Sequence, residues 1–150
     1  MKKFAFSLER MLNFQSQNLE KEMGILGRMT AERDALEAQK QDMAEKAAGV
    51  QADIARREAE GTTIFMLKAC FSILESARNQ LEEMEEELRL LQARLERQRQ
   101  IVTEASREVK KLEKLKEKQL EEYHRGEAKE QQETIAEHVA GNFVRRGASQ

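Results

Sequence analysis

The sequence predicts an all-α fold: a long two-helix antiparallel coiled-coil hairpin whose second helix overhangs the first at its C-terminal end. Three observations predict it. The 150 residues contain no proline and 36% charged residues, at a mean hydropathy of −0.77. A chain this polar, rich in Ala, Glu, Lys, Leu, Arg and Gln, suits long helices better than a layered core. Apolar residues recur at alternating steps of four and three in two long runs, the interval that keeps side chains on one seam. Between the runs stands one strong turn signal, Glu60-Gly61-Thr62-Thr63.

The first helix is expected over about residues 7–60. Ser7 stands where a hydroxyl can accept a hydrogen bond from an orphaned helix amide. Stepping from Leu8 gives Leu8, Leu12, Gln15, Leu19, Glu22, Leu26, Met29, Arg33, Leu36, Lys40, Met43, Ala47, Val50 and Ile54, of which ten of fourteen are apolar. Gly24, Gly27 and Gly49 interrupt this run. Each weakens a helix by ~1 kcal/mol relative to Ala, which predicts softness near Gly24 and Gly27.

The turn is expected at residues 61–63, where Gly61 can take the left-handed conformation that ends a helix and Thr62 or Thr63 can cap the next. The second helix, over about 64–140, carries the cleaner heptad. Leu67, Leu74, Leu81, Leu88, Leu95, Val102 and Val109 stand seven apart, and their companions are Cys70, Ala77, Met84, Leu91, Gln98, Ala105 and Leu112. A short connection sends the second helix back along the first. Facing residues then have numbers summing to about 123, which sets Leu8 against Leu115, and Leu12 against Lys111 and Leu112. Beyond about Tyr123 the second helix has no partner, Gly126 loosens it, and a flexible tail is expected over 141–150. The whole is one domain.

Composition excludes several classes of function. The net charge of −2 exerts no overall pull on nucleic acid or an anionic membrane. The single Cys70 cannot form an internal disulfide, which favours a reducing, cytosolic compartment. Glu9 and Arg10 break the apolar opening before it reaches the length of a signal peptide, and no window approaches the ~20 apolar residues of a membrane span. The sequence has no phosphate-binding glycine loop, no zinc-protease motif and no paired cysteines, and a two-helix hairpin has no concave interior, so no enzyme, cofactor or metal is expected. His124 and His138 read as surface residues, Cys70 as a small seam hydrophobe, and the methionines as gap-fillers along the seam or an adaptable binding face.

Charge is distributed unevenly. Residues 62–88 hold two basic and six acidic side chains, 89–118 hold ten basic and five acidic, and 119–141 hold two basic and six acidic. The run Glu82 to Glu87 reads as a solvated face or an interaction patch. Arg107, Lys110, Lys111, Lys114 and Lys118 fall at three- and four-residue spacing on one stripe beside the seam. That stripe is open to two readings, a solvated face and a contact for an acidic surface or phosphate. Phe65 and Phe71 lie just past the turn, where little core is available. Exposure as a binding site and burial at the turn are both open.

Two stretches carry a family resemblance. The opening KKFAFSLERML, with Phe4, Phe6, Leu8 and Arg10 in an F-x-F-x-L-x-R pattern, and the later ASREVKKLEKLKEKQLEEY followed by KEQQETIAEHV resemble the FliJ family of bacterial flagellar export stalk proteins. The resemblance covers essentially the whole chain and rests on the combination, order and length of the motifs. It implies a monomeric hairpin, similar to the central stalk of rotary ATPases, that binds and activates the hexameric flagellar export ATPase and links it to the export gate and to export chaperones. It implies a cytoplasmic protein at the inner face of the cell membrane, at the flagellar base, held there through partners only. Carried over by position, Phe4, Phe6, Leu8, Arg10, Lys110, Lys111, Leu112, Leu115 and Lys116 match the ATPase-binding pattern. Phe65, Phe71 and Leu74 match the gate-binding region. Outside the resemblance, the alternatives are a nucleic-acid-binding coiled coil using the basic stripe and a generic tether. The stripe lacks interleaved aromatics, so no nucleic-acid partner is expected.

Overall fold

The structure is a computed structural model that describes residues 2–148. Two helices account for nearly all of it: α1, Glu9–Glu60, and α2, Ile64–Ala148. They pack against each other. Contacts divide the chain into two compact bodies, Glu20–Thr103 and Met1–Leu19 with Glu104–Gln150.

In the body Glu20–Thr103 the helices run antiparallel, because ascending positions on α1 meet descending ones on α2. Glu22 faces Gln98, and Lys40 Nζ lies 3.6 Å from Glu85 Oε1. Every α1 heptad position from Glu22 to Ile54 and every α2 heptad position from Leu67 to Val102 is buried or half-buried. The core near the turn gathers Ala47, Ile54, Cys70, Leu74 and Ala77, with Met43, Val50 and Leu67 packed on it. Leu91 and Leu95 are the most completely enclosed side chains. Each contributes about 1.5–3 kcal/mol by leaving water. The buried polar side chain of this seam is Gln98. Its Nε2 donates to the Glu22 backbone carbonyl at 3.0 Å and to Glu22 Oε2 at 2.6 Å, so its burial leaves the amide nitrogen satisfied.

Gly61 has φ of 90°, the left-handed value that lets the chain leave α1. Thr63 caps α2: its Oγ1 accepts from the amide of Met66 at 3.2 Å. Of the two threonines the sequence offered, Thr63 is the cap. Met29, Met43 and Met84 are half-buried on the seam, whereas Met11 and Met23 are exposed.

In the body that holds both termini, α1 begins at Glu9 rather than near Ser7, and Ser7 does not cap it. Phe6 is drawn into the core with Leu12 and Val109, and the chain turns there, the Glu9 amide donating to the Phe6 carbonyl at 3.1 Å. The Leu8 carbonyl then accepts from Leu12. The expected pairing of Leu8 with Leu115 is corrected as well. Counting in sevens from Val109 reaches Lys116 and Tyr123, so Leu115 falls off the seam and is 38% exposed, while Lys116 meets Glu9.

α2 does not stop near residue 140. It continues through Gly141 to Ala148, and residues 149–150 of the expected tail lie outside the described residues. One glycine costs about 1 kcal/mol, too little to end an established helix. Arg145 and Arg146 in the last turn suit the negative pole of the helix dipole.

Candidate interaction surfaces

In the body with both termini, residues 2–8 are not helical and lie against α2. Phe6 packs with Leu12 and Val109, and Phe4, Leu8, Leu19 and Leu112 close around them. The Phe4 ring lies 5.6 Å from that of Tyr123 at a tilt of 56°, a spacing favourable for aromatic pairs. Tyr123 Oη donates to the Lys2 carbonyl at 2.6 Å. Lys116 Nζ donates to Glu9 Oε1 at 3.1 Å and stands 2.9 Å from Oε2, so the second oxygen is met by charge without an aligned hydrogen bond.

Of the nine residues expected at this end, five come together here: Phe4, Phe6, Leu8, Leu112 and Lys116. Arg10, Lys110, Lys111 and Leu115 face outward. Phe6 is only 7% exposed, so it packs the core and offers no surface to a partner. Lys111 pairs with Glu108 at 3.2 Å across one helical turn. Exposed pairs of this kind contribute 0.2–1 kcal/mol, too little to hold the ammonium back from a stronger partner.

In the body Glu20–Thr103 the residues beside the turn are more exposed than core packing would make them. Phe65 is 79% and Phe71 49% exposed, which settles the choice between exposure and burial for both. Leu74 is the exception among the expected residues. It is a heptad position inside the core, 5% exposed, and not a surface contact. Sequence reasoning missed Ile64, Met66 and Ile73, which are exposed too. Ile73, one residue before Leu74, falls on the opposite flank of the seam from Phe71, one residue after Cys70. On the Ile73 side a shallow groove of about 300 Å³ runs along Met43, Val50, Ser72, Ile73 and Ala77. The signal for it was available: an isoleucine one place off a heptad leucine has no seam to enter.

Charged groups on the outer faces pair along their own helix. Asp53 accepts from Arg56 at 2.6 Å and Arg57 at 2.9 Å, and the hydrogen bond from Arg57 is the main cause holding its carboxyl below the ordinary aspartate value. The hydrogen bonds from Arg89 likewise hold Glu86 low. From residue 128 onward every described side chain is exposed. Ile135, Val139 and Phe143, at four-residue spacing, form an apolar face there that the sequence reading did not single out, and Val144 is exposed on another side of the helix. His124 meets Tyr123 edge-on at 5.7 Å, and His138 Nε2 lies 3.2 Å from Asn142 Nδ2. Among the described residues no group of three or more His, Cys, Asp and Glu is placed to hold a metal. Nor is any helix among them long and apolar enough to cross a membrane.

Two packed helices, with basic and apolar side chains distributed along their outer faces, make this a helical-hairpin protein. The profile of the family described as Flagellar FliJ protein matches residues 4–148, and the chain belongs to the FliJ family. It is thereby a protein of flagellar export. No curated protein and no solved structure matches it.

Proposed function

We propose that this protein is the non-catalytic stalk of the flagellar type III export apparatus, which binds the hexameric export ATPase and raises its turnover. The observation that carries this reading is the pairing, in one body, of the packed FAFSLER opening with the exposed lysines of the KKLEKLKEK block. The lysines Lys110 and Lys111, with Arg10 and Leu115, contact the ATPase. Phe4, Leu8, Leu112 and Lys116 shape the end that enters it. Beside the turn, Phe65 and Phe71 meet the export gate membrane protein, and export chaperones dock on the same hairpin. The protein works in the cytoplasm at the flagellar base, held at the membrane through these partners.

The test is the rate of ATP hydrolysis by the purified export ATPase with and without the chain. Stimulation is expected, and Lys110→Glu with Lys111→Glu is expected to weaken it several-fold. No stimulation by the wild-type chain would sink the proposal. Equal stimulation by the double variant would remove only the lysines from the contact.

A further inference from the structure

α1 ends its cover of α2 at Glu9, yet the α2 seam does not become solvent-exposed there. Lys116, Gln119, Leu120 and Tyr123 remain half-buried. The chain that reaches this stretch is Lys2–Leu8, the longest non-helical segment among the described residues. It is fastened by three contacts of different kinds: the Phe6 side chain in the core, the Phe4 ring on Tyr123, and the Tyr123 hydroxyl on the Lys2 carbonyl. Among the described residues no backbone–backbone hydrogen bond ties Lys2–Ala5 to α2. One buried aromatic therefore stands against the entropy of ordering seven residues outside any helix or sheet. The entropy of ordering seven residues exceeds what that one ring returns, so docking draws also on Phe4, Leu8 and the Tyr123 hydroxyl and is weakly held, whereas the two helices are held by a seam of many layers.

We propose that Lys2–Leu8 is a displaceable strap. Docked, it caps the α2 seam from Leu112 to Tyr123 with the chain's own N-terminal segment; released, it leaves that strip of α2 open while both helices stay folded. Because the strap contains no helix, its release leaves the helical signal intact. This follows from the chain's own contacts and does not rest on the ATPase reading.

Tyr123 is the single tyrosine and the chain has no tryptophan, so tyrosine emission reports strap docking directly. The experiment heats the purified full chain while recording acrylamide quenching of Tyr123 and the circular dichroism of the helices. In the wild type, quenching is expected to rise before the helical signal falls. Phe6→Ala should shift docking by about a hundredfold or more, since burial of a phenylalanine ring is lost, and leave Tyr123 accessible at low temperature with the helices still formed. Phe4→Ala, which removes the half-buried ring beside Tyr123 and leaves Phe6 in the core, should raise quenching in the same direction but less. Coincident tyrosine and helix transitions, lowered together by Phe6→Ala, would overturn the proposal, because the strap would then belong to the cooperative core. Unchanged Tyr123 quenching in both variants would overturn it too, because the strap would not be docked in solution.

Discussion

Replacing Gln98 by Leu probes what a polar layer does inside this seam. Gln98 is 8% exposed, and its amide nitrogen bridges the Glu22 carboxylate at 2.6 Å and the Glu22 carbonyl at 3.0 Å. A hydrogen bond to a charged acceptor contributes about 1.5–3 kcal/mol. Glu22 is only half-buried, so water restores part of this when Gln98 is lost. The leucine regains about 1 kcal/mol by burial. Gln98→Leu alone is thus expected to cost roughly 0–1 kcal/mol. Glu22→Leu alone removes the charged acceptor and leaves the buried amide only the backbone carbonyl of residue 22, and should cost about 1–3 kcal/mol. The double replacement puts two leucines face to face, and should be more stable than the wild type by about 1–4 kcal/mol, as when a buried polar pair gives way to a packed apolar one. The assay is urea unfolding of all four proteins, followed by helical circular dichroism and read as a double-mutant cycle. A coupling of at least about 1 kcal/mol is expected between sites in contact. If the two changes add to within about 0.5 kcal/mol, the bridge is not an energetic unit and the reasoning fails.

Gly61→Ala should destabilise the chain by about 1–2 kcal/mol in the same urea assay, because a Cβ finds open space there and the whole cost lies in the positive φ; an unchanged midpoint would mean that the turn relaxes to another conformation. Acid should weaken the α1 end near the turn. Asp53 has its carboxyl held low by Arg57 and Arg56, so its contribution is present above the unfolded pKa and lost as pH falls through the depressed folded value, roughly from pH 4 downward. Asp53→Asn should flatten that part of the stability–pH curve, and an identical curve in the variant would assign the acid loss to other carboxylates.

Much of the seam was legible because its physics is periodic. Every position of the heptad from Leu67 to Val109 and of its companions from Cys70 to Leu112 is buried or half-buried on α2, and so is every position reached by stepping from Leu8 on α1. Local chemistry also identified Gly61 and Thr63. The failures occur where a tertiary contact overrides local chemistry. Ser7 looked like a cap, but burial of Phe6 turns the chain before the hydroxyl can serve. Leu115 looked like a seam residue because it is a leucine in a leucine rhythm, yet the heptad phase gives that place to Lys116. The interaction surfaces were harder to read than the core. Phe65, Phe71 and Leu74 carry similar hydrophobicity in sequence, and only their rotation about the helix axis separates a buried position from two exposed ones. Ile73 was passed over for the same reason.

The last quarter of α2 has a consequence for how this helix forms. Beginning a helix in water is unfavourable by a factor of about a thousand, whereas adding a residue to an existing one is close to neutral. Residues 128–148 have every side chain exposed, so tertiary packing contributes nothing to their helicity. Their nucleus is the packed portion of the same helix. The exposed segment therefore lengthens and shortens by propagation alone, one residue at a time. A surface that grips Ile135, Val139 and Phe143 acts on a helix whose costly first turn is already made.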